Sequence, residues 1–330
     1  MMMKAIEIVG FGSAAMQISW IANDWPNINE EVFGNSSRID FGGKAAGQIT
    51  AASKIGAKVA LIANLGDDRF GKKYLDYMRN NEVHTDFVTI CAETLTGINQ
   101  MTTTEDGVRQ GLVFEGATNL LDQTDIEKAK SLLCEAKAFI CQQDVAIEAT
   151  QFALRRFRGV TILNVAPNVF EKYLDMLRVA NIVCCDAIEA GELLNKERVV
   201  TPKQCIEALG YIIEKGARLA IITLGSIGTV YADNTLPLRC IYVPVQNITD
   251  VDLTLFTNSF IGAYAHLTIN YPEHDVHQKV GAANELAARL IDSDTMEKID
   301  TKTEPSFNRK MNLQINLNQK CYAWEYMRCD

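Results

Sequence analysis

Short apolar runs alternate with segments of helical period along most of this chain, and few folds accept that order. Ala5–Val9, Val59–Asn64, Ala138–Cys141, Val160–Asn164, Ile182–Cys185 and Leu219–Thr223 read as strands. Between them, Ala45–Ile55, Lys72–Asn81, Asp125–Glu135, Pro202–Glu214 and His277–Leu290 carry apolar residues at helical spacing. A run such as Leu219-Ala-Ile-Ile-Thr223 is apolar without alternation, which requires cover on both faces of the strand. Helices on either side of a mostly parallel sheet supply that cover, so the order predicts a three-layer α/β/α domain. Ligands of such domains collect at the carboxyl ends of the strands, which points to the loops after Val9, Cys141, Cys185 and Thr223.

Two segments break the alternation. Residues 15–41 and 94–115 are rich in Thr, Val, Ile and Asn with period-two character, and Glu105-Asp106-Gly107 reads as a hairpin turn. They predict a small antiparallel sheet inserted as a lid, with a face that substrate or another subunit must cover. The α/β domain is expected over residues 1–300, lid included, and residues 301–330 read as a polar C-terminal tail.

Bulk properties exclude several classes. The 330 residues are 48% hydrophobic and 22% charged, as in folded soluble domains. A formal net charge of −9 without a basic stripe argues against a nucleic-acid partner. No apolar run approaches the roughly 18–20 residues of a membrane span, and Glu7 interrupts the first apolar run, which reads as a strand rather than a leader. Nine dispersed cysteines without CxxC spacing suit reduced thiols and a cytoplasmic setting, with the nucleus open as a second compartment. The four histidines sit apart from any cysteine or acid cluster, so no metal centre is expected among them.

Several short motifs carry chemistry. They are Gly10-Phe-Gly12-Ser13 with Gln17 downstream, Phe41-Gly42-Gly43-Lys44-Ala-Ala-Gly47-Gln48, Asp186-Ala-Ile-Glu189, Thr223-Leu-Gly225-Ser-Ile-Gly228 and Asp252-Leu-Thr-Leu-Phe-Thr-Asn258-Ser-Phe-Ile-Gly-Ala263. Over about residues 5–295 this pattern resembles the ribokinase family of sugar kinases (the PfkB carbohydrate kinases), eukaryotic members above all. The resemblance implies a ribokinase-like fold, the reaction of ATP with D-ribose to give D-ribose 5-phosphate, and ATP, Mg²⁺ and K⁺ as cofactors. It places Gln17, Gly42, Gly43, Lys44, Gly47 and Asp144 at the sugar, and Asp186, Glu189, Thr223, Gly225 and Gly228 at the nucleotide. Glu189 would organise Mg²⁺ through water, and Asp252 would stand near the monovalent-cation loop, whose later part, at about Asp300–Phe307, is not recognisable here.

Departures from the pattern gather at the reacting end. The family's Asp-Thr-x-Gly-Ala-Gly-Asp frame has become Asp252-Leu-Thr-Leu255-Phe256-Thr257-Asn258, so the glycine turn and the catalytic aspartate are both replaced. An amide cannot act as a general base near neutral pH. The sugar-site aspartate is Gln17, the sugar-site asparagine is Gly47, a glutamate is Asp144, and the magnesium-site asparagine is Asp186. Asn29 replaces a glycine, and asparagine also tolerates left-handed backbone. Three readings follow: a catalytically silent homologue that binds nucleotide, a metabolite such as a sugar, or a protein partner; an active ribokinase with a substitute group among Asp250, Asp252 and Asp186; and a kinase for a different acceptor, or a structural subunit pairing with itself or an intact paralogue through the lid.

Overall fold

The computed structural model describes residues 5–106, 108–143, 145–165, 175–196, 199–235, 238–245, 248, 252–296 and 322–325. Asp144, Gly107, Asp250 and the segment 300–307 lie outside the described residues. β1 (Ile8–Phe11) leads into β2 (Ala15–Ala22) and β3 (Gly34–Gly42), and the chain returns through α1 (Lys44–Lys54) to β4 (Val59–Gly66). Next come α2 (Arg69–Asn80) and β5 (Val88–Cys91), then a second excursion, β6 (Gly97–Thr104) and β7 (Arg109–Phe114). The middle of the chain runs α3 (Gln123–Lys128), α4 (Lys130–Glu135), β8 (Ala138–Gln142), α5 (Ile147–Arg156), β9 (Val160–Asn164), α6 (Asp175–Val179) and β10 (Ile182–Asp186). It continues through α7 (Ala187–Leu193), α8 (Cys205–Glu214), β11 (Leu219–Thr223), β12 (Gly228–Asp233) and β13 (Arg239–Pro244). Two long helices, α9 (Leu253–Asn270) and α10 (Val276–Met296), precede β14 (Tyr322–Glu325).

The large sheet has the order β14-β13-β12-β11-β10-β9-β8-β1-β4-β5. Strands from β11 to β5 run parallel, and β12, β13 and β14 extend the sheet antiparallel. β4 shows why the runs lack alternation: Leu61, Ala63 and Leu65 pack on one face with Ile49, Phe260 and Leu286, while Ala60 and Ile62 pack on the other with Leu154 and Leu209. Both faces are covered, as the sequence predicted. The predicted helix Asp125–Glu135 divides at Ala129 into α3 and α4.

The small sheet has the order β3-β2-β6-β7. β2–β3 and β6–β7 are antiparallel, but β2 and β6 pair parallel, so the expected antiparallel sheet is mixed. The reason is topological. β2 follows β1 and β6 follows β5, two parallel strands that end at the same edge of the large sheet, so both excursions leave in one direction. Asn29, in the β2–β3 connection, has φ 65°, the left-handed backbone expected there. Within the segment read as a tail, Tyr322–Glu325 pair with β13 as an edge strand.

Candidate functional site

The parallel strands β8, β9, β10 and β11 each end on a polar residue: Gln142, Asn164, Asp186 and Thr223. All four are buried, although each closes an otherwise apolar strand. Polar termini at the carboxyl edge of a buried sheet mark the crevice where ligands sit.

Two loops singled out in the sequence meet at this edge. Gly43 caps α1 with φ 93°, and a Cβ there would stand 2.6 Å from the Ser13 carbonyl oxygen, so only glycine fits. The Lys44 amide donates to Ser13 Oγ at 3.0 Å. From α2, the buried Tyr74 hydroxyl donates to the Gly42 carbonyl, and the Tyr77 ring stacks on Phe41 at 4.0 Å. Gln17, half-buried on β2, pairs in register with Asp40, and its Cβ lies 3.1 Å from where a Gly42 Cβ would be. Gln17, Gly42, Gly43 and Lys44 are therefore brought together at the root of the lid.

Beneath them runs a chain of buried amides. Asn164 Nδ2 donates to the backbone carbonyls of Val165 (3.0 Å) and Cys184 (3.4 Å) and to Glu189 Oε2 (3.1 Å). Its Oδ1 accepts from Gln48 Nε2 at 3.0 Å, and the same nitrogen donates to Asn258 Oδ1 at 3.1 Å. Gln48 Oε1 accepts from Gln142 Nε2 at 3.2 Å. Asn258 thus lies on α9 at 8% exposure, against α1. A Cβ on Gly47 would come within 3.3 Å of Asn258 Nδ2.

Glu189 is the charged end of this network. Its Oε1 meets Lys44 Nζ at 2.7 Å and its Oε2 accepts from the Asp186 amide at 2.8 Å. Asp186 returns the bond as the cap of α7, accepting from the amides of Ile188 and Glu189 at 2.8 Å each. Burial pushes the Glu189 carboxyl up to about 7, against the pull of Lys44, and burial likewise raises Asp186. Two carboxylates side by side offer the hard oxygen donors that suit Mg²⁺. Both are already engaged, so the ion would take Asp186 and Glu189 through water, as Lys44 and the α7 amides hold their oxygens.

Leu255, Phe256 and Thr257, expected in a turn, form the first turns of α9 instead. Leu and, more weakly, Phe favour helix over glycine, by up to about 0.8 kcal/mol per residue, and Phe256 is fully buried in the core. Asp252 caps this helix, accepting from the Leu255 amide at 2.9 Å, and its other oxygen meets Arg109 Nη2 of β7 at 2.8 Å. The carboxylate assigned to a monovalent cation is therefore already paired with the Arg109 guanidinium. Thr257 Oγ1 donates to the Leu253 carbonyl and lies 2.7 Å from Thr223 Oγ1, which ties α9 to the end of β11. The turn that follows has Gly225 at φ 59° and Gly228 at φ 126°. A Cβ on Gly228 would stand 2.3 Å from the Val243 carbonyl oxygen.

The structure adds Asn164, Arg109 and Tyr74 to the residues named from sequence. Asn164 had a signal, a polar residue closing an apolar strand, whereas Arg109 and Tyr74 had none because their partners are distant in sequence. Among the described residues no group of three or more His, Cys, Asp or Glu is arranged to hold a metal directly.

Residues 6–252 match the family model for pfkB family carbohydrate kinases. The chain is 28% identical over 317 residues to a ribokinase of Mus musculus, covering 95% of each chain. It is 27% identical over 267 residues to a ribokinase of Dictyostelium discoideum, covering 76% of this chain and 84% of that one. Among solved structures, a ribokinase from Giardia lamblia superposes with a TM-score of 0.74 at 19% identity, covering 86% of this chain and 91% of that one. The Arabidopsis thaliana ribokinase complexed with ribose and ATP gives 0.72 at 20% identity, covering 88% and 93%.

Proposed function

This chain belongs to the pfkB family of carbohydrate kinases, and from that premise we propose that it keeps a sugar and nucleotide cleft in which phosphoryl transfer is lost or cut by several orders of magnitude. The observation that carries this reading is Asn258. It stands at the family's catalytic position as a buried amide whose oxygen is taken by Gln48, so nothing at that point accepts a proton from a sugar hydroxyl. General-base catalysis is typically worth about 10²–10⁴-fold. The α9 N-terminus adds to the loss, because the Asp252 carboxylate and Arg109 occupy it where a transferring phosphoryl would need free amides.

The nucleotide side supports binding. The Thr223–Gly228 turn keeps its glycines in left-handed or Gly-favoured backbone, and Lys44, Asp186 and Glu189 stand together beneath it. Bound there with Mg²⁺, ATP would present the phosphoryl group, and Gln17, Gly42, Gly43 and Gly47 would line the sugar side. Asp252, which caps α9 and pairs with Arg109, and Asp186, which caps α7, are both engaged in other contacts, and Asp250 lies outside the described residues.

Calorimetry of ATP·Mg²⁺ with and without D-ribose, together with a ribose phosphorylation assay on the same sample, tests the proposal. Binding without turnover is the expected result, and turnover at rates of an ordinary kinase would overturn it.

A second reading concerns assembly. β7 is exposed along its whole length, and Leu112 (74% exposed) shares one face of the small sheet with the exposed Trp20 of β2 and Ile39 of β3. Such an apolar face favours a partner copy, either this chain or an intact paralogue. Light scattering of the purified chain, alone and mixed with an active homologue, decides between them.

A further inference from the structure

The buried amides have a fixed direction. The carbonyls of Val165 and Cys184 can only accept, so Asn164 must turn its nitrogen toward them and its oxygen toward Gln48. Gln48 must then present its nitrogen to Asn164, and the same nitrogen reaches Asn258, which is left to accept with its oxygen. The Asn258 nitrogen therefore points away from the network. Among the described residues Nδ2 donates to nothing, although the residue is only 8% exposed.

Gly47 keeps that nitrogen uncovered. Residues 45–46 and 48–53 of α1 are buried, but Gly47 is half-buried, and a side chain on it would sit 3.3 Å from Asn258 Nδ2. The Gly47 amide donates to the Gly43 carbonyl at 3.0 Å, so this space lies one turn along α1 from Gly43 and Lys44. A carboxylate at residue 258 would offer this space a charged acceptor and select a hydroxyl proton. The amide, with its oxygen locked behind, offers only N–H.

We infer that the cleft beside Asn258 takes a sugar whose terminal carbon carries an anionic acceptor, a pentose phosphate, in preference to the neutral sugar. This rests on the reading above that residue 258 faces the sugar end of the cleft. Lys44 and Arg109 balance the carboxylates of Glu189 and Asp252, and the third nearby carboxylate, Asp186, is turned into the amides of Ile188 and Glu189. An N–H donated to a charged oxygen is about twice as strong as one donated to a neutral oxygen. The chain would then act as a binder of phosphorylated pentose rather than a producer of it.

Calorimetry on the full chain with D-ribose, D-ribose 5-phosphate and inorganic phosphate tests this. Wild type is expected to bind D-ribose 5-phosphate at least about tenfold more tightly than D-ribose, and inorganic phosphate more weakly than the ester. Asn258→Asp should reverse the preference through like-charge repulsion, and Asn258→Ala should bring the two affinities together. Thermal melts show whether each variant is folded, and the wild-type comparison stands without them. Equal or tighter binding of D-ribose by wild type would sink the inference while leaving the cleft reading intact. Inorganic phosphate binding as tightly as the ester would also sink it, by removing the sugar from recognition. Failure of both sugars to bind would remove the inference and the cleft reading together.

Discussion

Asn258 differs from an aspartate in direction as well as charge, and that limits what one substitution can recover. Asn258→Asp should restore little ribose phosphorylation, because Leu255, Phe256 and Thr257 remain helical and Asp252 still caps the first turn. A coupled assay showing a rise to ordinary kinase rates would mean that the helix start can open. Glu189 gives a second residue-level prediction. Its carboxyl is raised from 4.5 to about 7 by burial, so the folded state binds the proton more tightly than the unfolded chain. Its contribution to stability is complete below about pH 4.5 and is lost as pH rises to about 7. Glu189→Gln stays neutral, so its melting temperature relative to wild type should climb across that window and level off above it. A constant difference across the same pH series would show that Glu189 does not titrate there. At this scale the sequence was informative wherever a residue's meaning is local. The left-handed Asn29 and the glycines at 43, 225 and 228 were readable from their turns. The roles of Gln48, Asn164 and Asn258 emerge only when three elements meet, and no spacing along the chain encodes that.

Between elements, α1 and α9 cross in close contact. A Cβ on Gly262 would stand 2.2 Å from the Gln48 carbonyl oxygen and 2.9 Å from the Ala52 amide nitrogen, so the backbones nearly touch. Gly262→Ala must push the helices apart, which should cost about 1–3 kcal/mol and loosen the Gln48–Asn258 bond. Denaturant melts measure the first effect and ligand titration the second; a neutral substitution would mean that the crossing has slack. The lid hinge depends on Asp68, whose carboxylate caps α2 at the Gly71 amide (2.7 Å) and holds the Thr96 amide and hydroxyl (2.8 Å each). Asp68→Ala should cost about 1–2 kcal/mol, read from the same melts, and Asp68→Asn should recover only the part due to the Gly71 cap, because its nitrogen cannot accept from the Thr96 amide. Element types followed from hydrophobic period where a strand is buried on both faces or a helix carries one apolar stripe. α9 escaped that logic because it is buried all round from Phe256 to Ala265, so its residues show no stripe and its start reads as a turn. The parallel pairing of β2 with β6 was also hidden, since strand direction in the lid is set by where β1 and β5 end.

Across the whole molecule, the lid is joined to the core at its root and, farther out, by the Arg109–Asp252 pair. Both partners are half exposed, so the pair is worth only about 0–1 kcal/mol to global stability. Its removal should instead appear locally. Arg109→Ala is expected to leave the melting temperature nearly unchanged while raising amide exchange over β6 and β7, most clearly at low salt, and unaltered exchange there would show that the lid is held by other contacts. The α1–α9 crossing has a mechanical consequence. α1 and α9 are pressed together backbone to backbone, so the proposed cleft would work like a vise with one jaw cast into the frame. Opening must come from the lid side alone, and the rate at which any ligand enters or leaves is then governed by how often that single jaw swings.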